Sequence, residues 1–244
     1  MKKSDEIHFK RFIDFVFDPD AGCMEFVAWK ACVSRSNLIE KAENYARTIG
    51  GWYNRVDSLK FDIGRLNGAS GYCSINPIRN DLLARSENAV MTIRKGLGTK
   101  EEHILCYRFF LIDIDSERLE GISATDEELS YAIELRDRIL SDHPEIRQAS
   151  LWGCSGNGAY ILTRIPDLEI KQGKNTVKSV LKSLASQYGK KGKDKAFVDT
   201  NTHSPVFHVG VPGTYKCKGT STEERPHRLI TVDNPIDSRL DANS

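Results

Sequence analysis

The chain has 244 residues, enough for one large domain or for two lobes that share a cleft. Its 35 Lys and Arg balance 34 Asp and Glu, so a nucleic-acid partner would have to be bound by local basic patches. The six cysteines form no CxxC pair, which is typical of reduced thiols. With no signal-peptide pattern and no apolar run near the ~20 residues that span a bilayer, we expect a cytoplasmic protein without a membrane partner.

The first part of the chain, about residues 1–100, is predicted to form a small α/β lobe. Apolar spacing and turn residues mark the boundaries of its elements. Gly50 and Gly51 are expected to end a helix, and Pro77 disfavours helix at Asn76 before it. The predicted elements are a helix over 9–17, a strand over 23–33, a helix over 36–49 and a strand over 71–75.

The second part, about residues 101–235, has clearer patterns. A strand, a capped helix, a hairpin, a second helix and a further strand follow one another, which is the order of an RRM-like lobe in an α/β (α+β) fold. We expect the hairpin to pair beside the first of these strands, and residues 236–244 to form a polar tail. The predicted strands are 106–115, 150–154, 159–164, 197–199 and 206–211. The predicted helices are 124–140 and 177–188, and Ser123 or Thr125 is expected to cap the first of them.

Two carboxylates stand at the end of the strand over 106–115. Asp113 and Asp115 are separated by one residue, so their side chains share a face of the strand. The preceding residues are apolar and aromatic, which makes burial of the two acids costly unless a cation or hydrogen bonds compensate. This spacing is compatible with a metal site, but such pairs also cap helices or face water. Asp199, after Phe197 and Val198, is a third acid that could complete a cage.

Two further segments carry groups suited to phosphate. A glycine-rich turn offers backbone amides to an anion, although an ordinary hairpin turn is the alternative that its spacing favours. A later segment offers cations and a hydroxyl, as polyphosphate recognition requires, or is simply a solvated basic loop. The turn consists of Ser155, Gly156, Asn157 and Gly158, and the later segment contains Thr214, Lys216 and Lys218 between Gly213 and Gly219.

These motifs, in this order, resemble the archaeo-eukaryotic primase superfamily, specifically the primase-polymerase domains carried by bacterial mobile elements. The resemblance extends over roughly residues 70–232. Besides the three motifs, it includes the run from Gly71 to Pro77, Arg108, the run from Gly121 to Glu128, and Lys218 and Gly219 followed by the run from Glu224 to Arg228.

The resemblance implies a single-domain DNA primase-polymerase, with an RRM-like catalytic lobe packed against the smaller α/β lobe and the active site in the cleft between them. It implies that Asp113, Asp115 and Asp199 are the catalytic residues and hold two Mg²⁺ or Mn²⁺ ions. The implied partners are a single-stranded DNA template and primer, nucleoside triphosphates, and a separate helicase or other replication or repair protein. The implied nucleotide-binding residues are Ser155, Gly156, Asn157, Gly158, Tyr160, Thr214 and Lys218. The residues expected to contact nucleic acid are Lys190, Lys191, Lys193, Arg225, His227 and Arg228.

The chain departs from the family pattern at three positions. Tyr160 stands where the family usually has His, and Phe207 and Gly210 stand where it usually has basic residues. A tyrosine there can point into the cleft and donate one hydrogen bond, or it can fill the space of the nucleotide. These departures favour a degenerate primase fold that serves as a nucleotide- or DNA-binding module, whereas the three aspartates favour an enzyme. A nucleotidyltransferase that extends or repairs ends without priming is a further alternative.

Overall fold

The computed structural model describes residues 3–42 and 47–235. Over these residues the fold is mixed α/β, with largely antiparallel sheets and several helices. The helices are α1 (Lys3–Val16), α2 (Val56–Gly64), α3 (Asp126–Asp142), α4 (Pro144–Gln148) and α5 (Ile170–Tyr188). The first seven strands are β1 (Met24–Trp29), β2 (Ala31–Val33), β3 (Ile39–Lys41), β4 (Thr48–Tyr53), β5 (Leu66–Asn67), β6 (Tyr72–Ser74) and β7 (Met91–Ile93). The others are β8 (Tyr107–Ser116), β9 (Ser150–Cys154), β10 (Gly158–Leu168), β11 (Ala196–Asp199), β12 (His208–Gly210), β13 (Tyr215–Lys216) and β14 (Arg228–Leu229).

A four-stranded antiparallel sheet has the strand order β11-β8-β10-β9. Helix α3 follows β8 and helix α5 follows the β9-β10 hairpin, so the chain has the β-α-β-β-α-β order that the sequence predicts. Both helices cover one face of this sheet, where Ile112 and Ile114 of β8 pack with Leu135 and Leu181. The prediction that the hairpin pairs beside β8 is confirmed, since Ile161 lies opposite Ile112.

The N-terminus of α3 shows why the chain turns into a helix after β8. The Thr125 hydroxyl accepts a hydrogen bond from the Glu128 amide at 3.1 Å, and the Glu128 carboxylate accepts one from the Thr125 amide at 2.8 Å. This capping box satisfies amides that the first helical turn leaves without partners. The cap is therefore Thr125 and not Ser123.

A five-stranded antiparallel sheet, in the order β12-β6-β1-β4-β7, faces the other side of the four-stranded sheet. The core between the two sheets contains Phe12 of α1 and Phe26 of β1 together with Phe109 and Leu111 of β8. Strand β12 lies late in the sequence, yet it pairs with β6. The predicted strand over 206–211 is thus confirmed in part, but it joins the early strands and not the sheet that contains β8.

The predicted helix over 36–49 is wrong where the structure describes it, because β3 and the start of β4 lie there; its residues 43–46 lie outside the described residues. Gly50 and Gly51 do not end a helix but lie within β4. A Cβ on Gly50 would meet the Phe26 carbonyl at 2.3 Å, and one on Gly51 would meet the Ala89 carbonyl at 2.2 Å. These glycines allow close approach of neighbouring backbone.

Other differences are smaller. Helix α2 was not predicted, and the predicted strand over 23–33 is divided into β1 and β2 at Lys30, whose φ is 50°. The predicted polar tail lies outside the described residues. All six cysteines are free thiols. Among the residues described, no helix is long and apolar enough to span a membrane.

Candidate functional site

Strand register brings the acidic residues together. Asp113 of β8 lies opposite Asp199 of β11 on one side and opposite Tyr160 of β10 on the other. Directly opposite residues of antiparallel strands project from the same face, and Asp115 projects from it as well because it is two residues further along. The three aspartates and Tyr160 therefore lie on the face that α3 and α5 leave uncovered.

The charge around Asp113 is strongly unfavourable for its ionised form. Burial, followed by the negative charge of Asp115, raises the pKa of Asp113 to about 7 from its ordinary 3.8. Asp199 adds to this rise, whereas Lys216 and Arg118 oppose it. The site therefore has more negative charge than its neighbouring cations neutralise, and an added cation would relieve the repulsion.

Two of the aspartates already have partners. Asp115 Oδ1 accepts a hydrogen bond from Arg118 Nη2 at 3.2 Å. Asp199 Oδ1 accepts from the backbone amide of Asn201 at 2.9 Å and from its side-chain amide at 2.8 Å, which begins a short 3₁₀ helix. Within the described residues, no group of three or more His, Cys, Asp or Glu is arranged to hold a metal ion. Both hydrogen bonds from Asn201 end on Oδ1 of Asp199, so the second oxygen of this carboxylate keeps its lone pairs for a metal ion.

A cleft of about 410 Å³ lies over Asp113 and Asp115. On one side it is bounded by β8, the β9-β10 turn and the loop after β8, and on the other by strands of the five-stranded sheet. Positive side chains and acids line the same space, so the cleft offers ligands for a cation and for an anion. Its polar and charged lining includes Asp113, Asp115, Arg118, Ser155, Asn157, His208, Lys216 and Lys218.

The glycine-rich turn uses some of its own amides. The Ser155 amide donates to the Gly158 carbonyl at 2.9 Å, and the Gly156 amide donates to Cys154 Sγ at 3.2 Å. Gly156 has a φ of +88°, which requires glycine or a residue that tolerates the left-handed region. The turn therefore forms the hairpin, while Ser155 and Asn157 line the cleft.

Two buried donors beside the cleft have no partner among the described residues. They are Arg118 Nε and Asn157 Nδ2. Asn157 is 2% exposed, and its Oδ1 accepts from the Ala124 amide at 3.0 Å, which fixes the orientation of the side chain. A buried donor without a partner costs about 1–3 kcal/mol. Because both groups are donors, a ligand with acceptor oxygens, such as a phosphate, would satisfy them.

The other predicted nucleotide contacts are Lys218, Tyr160 and Thr214. Lys218 lines the cleft and brings a positive charge to it. Tyr160 also lines the cleft, but it is 1% exposed and its hydroxyl donates to the Thr231 carbonyl at 2.8 Å. Burial raises the pKa of Tyr160 well above its ordinary value. Thr214 is buried, donates to the Val211 carbonyl at 2.7 Å and lines a different cavity. As the structure stands, neither hydroxyl is directed at a ligand.

The wall facing the aspartates contains Phe207 and Gly210, which the sequence analysis singled out, and also Trp29, Glu25 and His208, which it did not. Trp29, which is 46% exposed, lies against Tyr72 with ring centroids 4.4 Å apart and meets His208 edge-on at 5.6 Å. His208 Nε2 lies 2.9 Å from a carboxylate oxygen of buried Glu25. Although burial acts in the opposite direction, hydrogen bonds from His208 and Thr99 lower the pKa of Glu25, so it is a carboxylate that accepts from His208.

Two of the predicted nucleic-acid contacts are occupied within the chain. Arg225 donates to both carboxylate oxygens of Glu128, at 2.7 and 3.0 Å, and Arg228 donates to Asp126 at 2.6 Å. Both residues therefore hold the segment before and in β14 against the start of α3. The remaining predicted contacts are His227, which lies 3.1 Å from the Gly219 carbonyl, and Lys190, Lys191 and Lys193, which are exposed between α5 and β11.

No family model matches this sequence, and no curated protein sequence matches it. Among solved structures, the chain is similar to the polymerase domain from Mycobacterium tuberculosis Ligase D in complex with DNA. The identity is 12%, the TM-score is 0.44, and the match covers 92% of this chain and 79% of that chain.

Proposed function

We propose that this chain is a nucleotidyltransferase, specifically a DNA primase-polymerase that joins nucleotides from nucleoside triphosphates to a 3′-hydroxyl on a single-stranded DNA template. The observation that carries the proposal is the composition of the cleft. Asp113, whose pKa is strongly raised, and Asp115 lie in one space with two lysines and with two buried donors that lack partners among the described residues. This combination suits a ligand that brings a cation and a polyanion together.

The donor set fits the metals that such a reaction uses. Carboxylate oxygens are the ligands that Mg²⁺ and Mn²⁺ prefer, and the repulsion that raises the pKa of Asp113 would fall when a dication bound. Asp113 and Asp115 would hold the ions, joined by Asp199, which lies opposite Asp113 on the neighbouring strand. When bound, such ions lower the pKa of an attacking hydroxyl and neutralise charge on the leaving pyrophosphate.

The other polar residues would position the triphosphate. Lys216 and Lys218 bring positive charge to the cleft, and Asn157 brings an amide donor whose orientation is already fixed. Oriented donors that need no rearrangement bind a transferring phosphate with little loss of entropy. The exposed ring of Trp29 lies across the same cleft, against the partly buried ring of Tyr72, and a nucleobase could stack on Trp29.

A degenerate primase fold acting as a nucleotide- or DNA-binding module is the second candidate. One observation favours it: the Tyr160 hydroxyl donates to the Thr231 carbonyl inside the protein. An end-extending repair nucleotidyltransferase would use the same cleft as a primase. The helicase partner and the cytoplasmic location stay predictions from the sequence.

The test is a polymerisation assay. The purified chain is incubated with single-stranded DNA, labelled nucleotides and Mn²⁺, with and without an annealed primer, and the products are sized. Products without a primer support priming, products only with a primer support end extension, and no product with either substrate would overturn the enzyme proposal. Asp113→Asn should abolish most synthesis, whereas the matched control Asp81→Asn, whose exposed carboxylate pairs with Arg79, should retain it.

A further inference from the structure

Arg118, on the loop after β8, makes an incomplete set of hydrogen bonds beside the acidic pair. Its side chain is 7% exposed, and Nη2 donates to Asp115 at 3.2 Å. Nη1 donates to the Ser116 carbonyl at 3.2 Å and to its hydroxyl at 3.0 Å. A guanidinium binds a carboxylate best through two parallel bonds, yet Arg118 uses one, and its Nε has no partner among the described residues. The pairing with Asp115 is therefore suboptimal.

Arg118 also leaves part of the negative charge of Asp113 and Asp115 without a neutralising partner. Asp113 and Asp115 project from the same face of β8, but among the described residues Arg118 donates to Asp115 and not to Asp113. The guanidinium thus offsets only part of the repulsion between the two carboxylates. A dication held by both would offset more, because it carries twice the charge and binds oxygen ligands directly.

A second anionic partner for Arg118 would lie in the same cleft. Asn157, Lys216 and Lys218 line it together with Arg118, and Asn157 Nδ2 is the other buried donor without a partner. A polyphosphate held by these groups would present acceptor oxygens beside the guanidinium. Arg118 Nε would then gain the acceptor that it lacks.

We propose that Arg118 is an exchangeable counter-ion: without ligand it holds Asp115 in place of a metal, and when a metal-bound triphosphate enters, it releases Asp115 and donates to the triphosphate. This inference rests on the proposed function, since it requires that the cleft takes both ligands. Arg118 is then a positioning residue that couples the two binding events. The metal frees the guanidinium for the phosphate, and the phosphate draws the guanidinium away from the metal site.

Opposite effects on two affinities test the proposal. Isothermal titration of the full chain measures binding of Mn²⁺ alone, and then of dATP with saturating Mn²⁺ in the absence of DNA. Arg118→Gln should bind Mn²⁺ alone roughly three- to tenfold more tightly, because a competing positive charge is gone, and dATP about tenfold more weakly. The control Arg79→Gln removes an exposed arginine that pairs with Asp81 and should change neither affinity.

A purely structural role for Arg118 would weaken both affinities, and no role would change neither; both results overturn the inference. If wild type binds both ligands and the two affinities of Arg118→Gln do not move in opposite directions, the proposed function stands and only the exchange fails. A wild type that binds neither ligand at millimolar concentration overturns both the proposed function and the exchange.

If circular dichroism shows that Arg118→Gln does not fold, the variant Arg118→Lys tests the exchange instead. This variant keeps the charge without the planar fork, so unchanged Mn²⁺ affinity with weaker dATP binding supports the exchange, and unchanged dATP binding overturns it.

Discussion

Replacing Asp113 by Asn should stabilise the protein at neutral and alkaline pH. The pKa of Asp113 is raised from 3.8 to about 7, first by burial and then by the charge of Asp115. One pKa unit corresponds to about 1.4 kcal/mol, so ionisation of this group opposes folding by roughly 4 kcal/mol above pH 7. Asn removes the charge but remains a partly buried polar group, which costs about 1–2 kcal/mol, so we expect a net gain of about 2 kcal/mol.

The sign of the pH dependence follows from the direction of the shift. Below about pH 4, Asp113 is protonated in both the folded and the unfolded chain, and the destabilisation is absent. It grows between about pH 4 and 7, where the folded chain binds more protons, and is constant above that range. The advantage of Asp113→Asn should therefore appear in this interval.

Thermal and urea unfolding at pH 4.5 and pH 8, with a chelator present, measure the effect. At pH 8 a gain of about 2 kcal/mol raises the melting temperature of a chain of this size by about 4–8 °C, and at pH 4.5 most of the gain should vanish. Asp81→Asn, which alters an exposed pair, is the control and should stay within about 0.5 kcal/mol at both pH values. A gain of equal size at both pH values, or a loss at pH 8, would refute the reasoning.

Three further predictions concern Tyr160 and the exposed lysines before β11. Tyr160→Phe should destabilise the protein by about 1–2 kcal/mol in urea unfolding, because the Thr231 carbonyl loses the hydrogen bond from the tyrosine hydroxyl. The same variant should change dATP affinity by less than threefold. A larger loss of affinity would mean that the hydroxyl contacts the nucleotide. Since Tyr160 is almost fully buried, Tyr160→His should be less stable still, not simply a tighter binder. Removal of the three exposed lysines before β11 should reduce the salt dependence of single-stranded DNA binding. The slope of log binding constant against log salt concentration should fall in magnitude by about 0.7 for each phosphate that is no longer neutralised. An unchanged slope would mean that these lysines do not contact DNA. The lysines are Lys190, Lys191 and Lys193.

Local sequence determined the elements of the second half of the chain. The apolar run of β8, the capping box at Thr125 and the hairpin signal before Gly158 each depend on residues within a few positions of one another, so they can be interpreted without the fold. The same holds for the shared face of Asp113 and Asp115, since it follows from the period of a strand. Gly50 and Gly51 were misassigned because a glycine pair can end a helix or admit a neighbouring strand, and only the neighbour decides between these roles.

Tertiary structure alone decided what surrounds the aspartates. Glu25 and His208 meet across 183 positions of sequence, and Arg225 and Glu128 across 97, so no local pattern indicates either contact. Strand β12 shows the same limit: its composition predicts a strand, but its partner is set by which sheet edge has backbone donors and acceptors to pair with. Residue type and spacing fix which face a side chain occupies, whereas the partner on that face depends on how distant segments pack, and that packing is a property of the whole chain.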